Sequence, residues 1–315
     1  MTCVRQGFAS DGMTDTTTGT GPLHPEVLGR GILRGLGQVM FQRNEFTGLL
    51  FLAGMAIASP WVAVGAAAGA VIGPLVALLL RFDRGEILDG LYGYNAALVG
   101  AAALSFLQFT PLTWGLALVG ASVSVPLTWL LRRVVPFPTY TTAFVLTAWG
   151  LLFIAGGLGD RQPATPPEPA TTVDARPRWE RFAAQVADGI AEVMFGANVA
   201  TGACFLAGLA IGSWRHALVA VVGASLGTLV AAYHHDPQAQ LDLGLYGYNA
   251  ALAAIAGWLA RPSWLAVIVA AAASVPLVEF FPAGLGFPAL TAPFIIAAWI
   301  VLAILALDRG TSACI

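Results

Sequence analysis

The sequence contains no lysine: all 15 of its basic residues are arginine, and charged residues make up only 10% of its 315 residues. Soluble proteins average about 25% charged residues, so this chain has too few ionised side chains to cover a globular surface in water. Without lysine, the chain by itself is neither a Walker-type ATPase nor a pyridoxal enzyme, because both depend on a lysine side chain.

An excess of positive charge and closely spaced cysteines are also lacking. The net charge of −2 gives no basic footprint for nucleic acid. Cys3, Cys204 and Cys314 lie far apart, with no metal-ligand spacing. His234 and His235 are adjacent, and a solvated loop is the favoured interpretation there over a metal site. We therefore expect no nucleic-acid partner, no metal ion and no cofactor.

The chain is instead rich in hydrophobic residues, at 57%, and in glycine, with 36 residues. This composition predicts an integral membrane protein with closely packed helices. Residues 1–24 are rich in Ser, Thr and Gly and lack an apolar run, so we expect a disordered tail and not a signal peptide. Residues 160–180 are rich in Pro, Thr and charge, which predicts a linker near the middle of the chain.

The two sides of this linker repeat each other. QVMF at 38–41 recurs as EVMF at 192–195, LYGYN recurs 154 residues later, and FPTYTTAF at 137–144 recurs as FPALTAPF at 287–294. The offset is 154 residues from Phe41 to Phe195 and 150 from Thr141 to Thr291. Several motifs repeated in one order indicate an internal duplication with one short indel.

Each half contains one short apolar segment followed by five longer ones. Because crossing a membrane takes roughly 20 apolar residues, we expect the short segments to be re-entrant half-helices. Five crossings is an odd number, so the two halves must insert in opposite orientations. The short segments are 27–42 and 182–197, and the longer ones are 45–60, 61–81, 88–108, 112–131 and 140–158, then 199–213, 216–233, 243–260, 263–281 and 288–307.

The predicted fold is therefore an all-α integral membrane protein with two inverted repeats, each of five transmembrane helices plus one re-entrant half-helix, giving ten spans. The first repeat is expected at 25–159 and the second at 181–308, with a C-terminal tail at 309–315. The short loops near 109–111, 234–242 and 279–287 contain no arginine. Since arginine favours cytoplasmic loops, both termini are predicted to be cytoplasmic. The arginines predicted to share the cytoplasmic side are Arg43, Arg81, Arg84, Arg132, Arg133, Arg215, Arg261 and Arg309.

The repeated polar residues are the candidates for a transport site, because equivalent residues of inverted repeats meet near the membrane midplane. Gln38 and Glu192 are either interfacial residues at half-helix ends or pore-lining acceptors. Phe41 follows Gln38 by three residues, and Phe195 follows Glu192 by three. This spacing predicts that each phenylalanine shares a helical face with its polar residue and helps to form a narrow apolar slot.

Three further repeated sets have a structural and a functional interpretation. Thr141 and Thr291 are either hydroxyls bonded to their own helix or a pair facing each other across the pseudo-two-fold axis. Asn95 and Asn249 are better explained as structural caps. An aromatic side chain that occurs only once is best explained by core packing. Aromatic side chains that stand beside a polar residue in both halves instead favour a narrow apolar slot. The remaining repeated pairs are Tyr94 with Leu98 and Tyr248 with Leu252.

With these doubled motifs the chain resembles the bacterial and animal urea-channel family, over about residues 27–307. The resemblance implies homotrimers, a passive pore between the two halves of each subunit, urea and close planar analogues as substrates, and a bacterial inner-membrane location. It implies a filter made of end acceptors, neighbouring backbone positions, aromatic slots, constriction leucines and a middle hydroxyl site. The residues so assigned are Gln38, Val39, Phe41, Tyr94, Leu98, Thr141, Glu192, Val193, Phe195, Tyr248, Leu252 and Thr291.

The chain departs from this family pattern in two places. The second aromatic of each slot is Tyr where some relatives have Phe, so its hydroxyl either points away from the pore or adds a polar contact. Ala143 stands where the second half has Pro293, from which we expect a weaker helix break in the first half.

A proton-coupled carrier and an intramembrane amidase are the two alternatives to a passive channel. Glu192 as a single buried titratable group suits a proton-coupled carrier of a small amide or carboxylate. An intramembrane amidase is disfavoured, since no histidine lies within a predicted span and no Ser–His or Cys–His pair is apparent. A near-absence of charged groups in the spans suits a neutral solute and facilitated diffusion, so we predict that the protein is not an enzyme.

Overall fold

A computed structural model describes residues 24–159, 177–282 and 285–312. Within these ranges the chain forms thirteen α-helices and no extended strand, as an all-α protein requires. The predicted tail at 1–24 and linker at 160–180 lie almost entirely outside the described residues.

The helices alternate between long apolar segments and short connecting ones. In the first half they are α1 Pro25–Gln38, α2 Glu45–Ala58, α3 Pro60–Leu79, α4 Arg84–Leu88, α5 Tyr94–Phe106, α6 Pro111–Val134 and α7 Thr142–Leu158. In the second half they are α8 Arg178–Glu192, α9 Val199–Tyr233, α10 Gln238–Asp242, α11 Gly247–Ala260, α12 Trp264–Glu279 and α13 Ala292–Ser312. The last helix extends into the segment predicted as a C-terminal tail.

In the part of the chain that the structure describes, three helices are long and apolar enough to cross a membrane: Pro60–Leu79, Pro111–Val134 and Val199–Tyr233. The 35-residue α9 bends at Ser213, whose φ of −161° and ψ of 109° are extended. Ser59 has nearly the same angles, −154° and 109°, and separates α2 from α3. Equivalent serines therefore interrupt the helical segment in both halves. Ser59 ends one helix before the next begins, whereas Ser213 bends a continuous helix. These apolar helices fit a membrane protein.

The predicted spans 88–108 and 243–260 are shorter than expected, because a turn precedes each helix. Gly90 and Gly244 have φ of +83° and +69°, a left-handed conformation that glycine adopts readily. A Cβ on Gly90 would lie 2.3 Å from the backbone nitrogen of Gly35, and one on Gly244 would lie 2.2 Å from that of Gly189. The turn thus packs directly against the half-helix of its own repeat.

The two halves contact each other through reciprocal pairs. Phe51 of α2 packs on Phe205 of α9 with ring centroids 4.6 Å apart. Beside them, the Thr47 hydroxyl donates to the Gly208 carbonyl at 2.7 Å, and the Thr201 hydroxyl donates to the Gly54 carbonyl at 2.8 Å. Each threonine is fully buried. The hydrogen bonds satisfy hydroxyl groups that would be costly to bury alone.

The same reciprocity appears at the other end of the interface. The Trp149 indole donates to the Pro288 carbonyl at 2.9 Å, and the Trp299 indole donates to the Pro138 carbonyl at 2.9 Å. Trp149 and Trp299 are 150 residues apart, as are the two prolines. The tryptophan of each half therefore donates a hydrogen bond to a loop of the other half: Trp149 to the loop before α13, and Trp299 to the loop before α7.

Candidate functional site

The helices α1 and α8 end at the two candidate acceptors, Gln38 and Glu192. Three residues later the chain reverses through Phe41 and Phe195, which both have a φ of 63°. The prediction that each phenylalanine shares a helical face with its polar neighbour is therefore wrong, because the helix has already ended. The turn places the aromatic ring beyond the helix end instead of beside it.

The groups at these helix ends are mainly hydrogen-bond acceptors. The Gln38 side-chain nitrogen donates to the Asp89 carbonyl at 3.0 Å, which leaves the side-chain oxygen to accept. Glu192 Oε2 accepts the Ala197 backbone N–H at 3.1 Å. The buried Val39 and Val193 cap the two helices. Among the described residues, no backbone N–H donates to the Val39 or Val193 carbonyl.

Two aromatic clusters lie next to these ends, and each joins the two halves. Phe41 packs edge-on against Phe294 of the second half, with ring centroids 6.1 Å apart. Phe195 packs edge-on against Phe144 of the first half at 6.2 Å. The predicted slots paired Phe41 with Tyr94 and Phe195 with Tyr248. Phe294 and Phe144, which these two phenylalanines contact, belong to the FPxxTxxF motif of the opposite half.

Each cluster also contains an aromatic that has no counterpart in the other half. Phe41 contacts Tyr140 at 5.7 Å, and Phe195 contacts Phe106 at 5.5 Å. Leu290 stands where the repeat would place a second Tyr140. The repetition that singled out the other candidates gave no signal for these two rings.

The tyrosines of the LYGYN motifs direct their hydroxyls to the backbone. The Tyr94 hydroxyl donates to the Tyr140 carbonyl at 2.7 Å, and the Tyr248 hydroxyl donates to the Leu290 carbonyl at 2.6 Å. These carbonyls immediately precede Thr141 and Thr291, so each tyrosine holds the segment that presents a candidate threonine. One turn further along α5 and α11, the fully buried Leu98 and Leu252 extend the same apolar wall.

Thr141 and Thr291 come together between the halves. Their hydroxyl oxygens are 2.7 Å apart, and each residue is 3% exposed. Of the two interpretations offered by the sequence, the geometry fits the pair that faces across a pseudo-two-fold axis. One hydroxyl must donate to the other, so the pair presents one free donor and several lone pairs to a neighbouring molecule.

Asn95 and Asn249 hold the threonine segments in place. The Asn95 side-chain oxygen accepts the Phe144 N–H, and the Asn249 oxygen accepts the Phe294 N–H, both at 3.1 Å. The two asparagines thereby cap α7 and α13 from neighbouring helices, which agrees with a structural role. Both helices start one residue after their threonine, so the weaker break expected from Ala143 is not observed.

His216 is the first residue of the predicted span 216–233 and lies inside α9, so the expectation that no histidine lies within a predicted span is wrong. His216 follows the Ser213 kink of α9, and its Nδ1 accepts the side-chain N–H of Gln42 at 2.7 Å. Gln42 is the residue after Phe41 and is 4% exposed. The contact buttresses the turn that carries Phe41, and no serine or cysteine nucleophile takes part in it.

Comparisons with known proteins agree with this picture. The sequence profile of the family described as Urea transporter matches residues 30–306. The chain is similar to Urea transporter 1 of sheep (Ovis aries), with 28% identity over 84% of this chain and 74% of that protein. It is also similar to Urea transporter 1 of rat (Rattus norvegicus), with 30% identity over 78% of this chain and 67% of that protein, and to that of mouse (Mus musculus), with 29% identity over the same shares.

Proposed function

The chain belongs to the urea transporter family, and on this premise we propose that it transports urea passively across a membrane, along a route between its two halves. Membership of a transporter family confirms the prediction that the protein is not an enzyme. The observation that carries the proposed route is the contact of Thr141 with Thr291 at 2.7 Å, because it supports a polar site between the halves, in the same interface as the aromatic clusters around Phe41 and Phe195.

The polar groups suit a solute rich in N–H donors. Urea must shed water to enter an apolar passage, and each unpaired polar group there costs about 1–3 kcal/mol. The Gln38 and Glu192 side chains and the Val39 and Val193 carbonyls are acceptors near the two ends of the route. We assign them to the end sites and the threonine pair to the middle site.

The apolar groups suit a planar, uncharged solute. The rings around Phe41 and Phe195, with the buried Leu98 and Leu252, form walls that offer little to an ion. A hydrated cation would lose its water shell there and find few ligands, so ion leakage is expected to be small. Tyr94 and Tyr248 contribute ring surface, since their hydroxyls are taken by backbone carbonyls.

We further propose ten spans in two inverted repeats, at 25–159 and 181–308, joined by the linker at 160–180 and flanked by the tails at 1–24 and 309–315. The reciprocal bonds of Trp149 with Pro288 and of Trp299 with Pro138 support this arrangement. A homotrimer in a bacterial inner membrane with cytoplasmic termini completes the proposal.

Urea flux in proteoliposomes tests the function directly. Vesicles with the protein, placed in an outward urea gradient, are expected to lose urea much faster than empty vesicles, at a rate that an imposed pH gradient does not change. Flux equal to that of empty vesicles would contradict transport. Uphill urea accumulation driven by a pH gradient would instead establish the proton-coupled carrier.

A further inference from the structure

A cluster of three metal-ligating side chains lies outside the urea route, where α9 and α12 end. The His234 Nδ1 is 2.7 Å from Glu279 Oε1. One ligand atom each from His234, Asp236 and Glu279 lie within 4.8 Å of one another. The Glu279 side chain is 12% exposed and that of His234 is 41% exposed. The cluster is therefore partly enclosed and open on its histidine side.

The backbone at this point is rigidly specified. His235, between His234 and Asp236, has a φ of 63°, which reverses the direction of the chain. The Asp236 N–H then donates to the Ala231 carbonyl at 3.1 Å. This turn fixes His234 and Asp236 on the end of α9, while Glu279 is the last residue of α12. Ligands on the ends of two helices are held more firmly than ligands on a long loop.

The first half shows that the fold does not need carboxylates here. The repeat places Phe82 at the position of Asp236 and Trp129 at that of Glu279. Those two rings stack with centroids 5.4 Å apart and an interplanar angle of 5°. The tyrosine beside the site, Tyr92 or Tyr246, is present in both halves. The second half thus has two acidic residues at the positions where the first half has a stacked aromatic pair.

Among the described residues, His234 is the basic side chain that faces the two carboxylates. Segments 234–242 and 279–287 contain no arginine, and the protein has no lysine. The Asp236 Oδ2 is enclosed and has no hydrogen-bond donor among the described residues. The Tyr246 hydroxyl beside it donates to Gln240 at 2.6 Å. The Asp236 and Glu279 carboxylates thus lie beside one another, and the His234 imidazole is the third group of the cluster.

We propose that His234, Asp236 and Glu279 bind a divalent first-row transition metal ion, of which Zn²⁺ is the representative. One imidazole nitrogen with two carboxylates is a Zn²⁺-type ligand set, whereas Mg²⁺ and Ca²⁺ favour oxygen ligands alone. Three protein ligands leave a fourth position for water. The metal replaces the hydrogen bond between His234 and Glu279, and because the ligands bind it in their deprotonated forms, binding weakens as the pH falls.

The test is calorimetric titration of Zn²⁺ into the full-length, tag-free protein in detergent, after removal of metal by a chelator. We expect one saturable site per chain with a dissociation constant in the micromolar range or below. Glu279→Gln and Asp236→Asn should each weaken binding at least tenfold. Repeating the titration at a lower pH should show weaker binding.

Two further variants keep this test decisive. His235→Asn changes the adjacent histidine, which is outside the cluster, and should leave the affinity unchanged. His234→Asn alters a side chain that is 41% exposed, so the fold should survive while binding falls at least tenfold. Zn²⁺ binding that is absent, unchanged in Glu279→Gln, equally lost in His235→Asn, or displaced by an equal concentration of Mg²⁺ would overturn the proposal.

Discussion

The two halves of the chain keep the same residues where they meet and differ at their far ends. At the interface, Thr141 contacts Thr291, and the indoles of Trp149 and Trp299 make equal 2.9 Å hydrogen bonds across it. At the far end of the first half, Arg43 forms a salt bridge with Asp89. The repeat puts Ala197 and Leu243 at those two positions in the second half.

This difference separates two kinds of constraint. A residue on the axis contacts its own copy or makes the same bond twice, so a substitution in one half disturbs both. A residue at a far end has only local partners, and under the proposed topology the two ends face different compartments. The ends are therefore free to acquire different chemistry, such as the stacked Phe82 and Trp129 in one half and the acidic Asp236 and Glu279 in the other.

The largest expected effect is at the glycine turns, where the halves are alike. Gly244→Ala should abolish folding, because a left-handed alanine costs about 1–2 kcal/mol and its Cβ would also lie 2.2 Å from the Gly189 nitrogen. Gly90→Ala should behave in the same way. The measurement is the yield of monodisperse protein by size-exclusion chromatography in detergent.

Gly159→Ala is the matched control for the glycine variants. Gly159 has a φ of +73°, but nothing lies within 4 Å of a Cβ built on it. It therefore carries the backbone strain without the collision and should give well-folded protein. A normal yield of Gly244→Ala would contradict the claimed contact between the turn and the half-helix.

The next effect tests the axis itself. Thr291→Val and Thr141→Val should each lower urea flux in proteoliposomes to the same extent. Each removes one of the two hydroxyls of the middle site, so a dehydrated urea lacks one hydrogen-bond partner there, which costs about 1–3 kcal/mol, or roughly 5- to 150-fold in rate. Thr147→Val on α7 is the control, because the Thr147 hydroxyl has no partner among the described residues, and its flux should be unchanged. Losses that differ widely between the two threonines would break the symmetry.

The third prediction removes a difference between the halves. Glu192→Gln gives the second half the same acceptor that Gln38 supplies in the first, so urea flux should stay within about threefold of the original. Glu192→Ala removes the acceptor and should lower flux by about tenfold, for one lost hydrogen bond. If Glu192→Gln were as inactive as Glu192→Ala, the ionisable carboxylate would be essential, as in a proton-coupled carrier.

The smallest expected effect separates the two tyrosines. The Tyr140 carbonyl accepts from Tyr94, whereas the Leu290 carbonyl accepts from both Tyr248 and Asn249. Tyr94→Phe should therefore destabilise the protein by about 1 kcal/mol, and Tyr248→Phe by less. Thermal unfolding in detergent measures the order, and equal shifts would show that the second donor at Leu290 contributes nothing.

The repeats explain how much of the fold was predictable from sequence. The motifs at offsets of 154 and 150 residues align the two halves, and the hydrophobic pattern, which is strong and occurs twice, predicts a helix at each apolar segment. The turns at Gly90 and Gly244 were missed, since the reason for them is a contact with Gly35 and Gly189 more than fifty residues away. Likewise, nothing local signals that the helix ends at Gln38 and that the chain reverses at Phe41.

The candidate site shows the same limit. Thr141 and Thr291 were singled out by repetition and lie together in the structure. Phe144 and Phe294 belong to the repeated motif, but their contacts are with the opposite half, which sequence spacing does not reveal. Tyr140 and Phe106 occur once, so they gave no signal. Repeated motifs therefore identify residues at the interface between the two halves. They do not identify residues that occur in one half only.

The most direct measurement of the central claim compares urea with glycerol in the same proteoliposomes by stopped-flow light scattering. Glycerol is also small and neutral, but it is not planar and offers hydroxyls in place of amide N–H groups. A passive route lined by aromatic walls and acceptors predicts urea flux far above that of empty vesicles and glycerol flux close to it. Equal acceleration of both solutes would contradict the account.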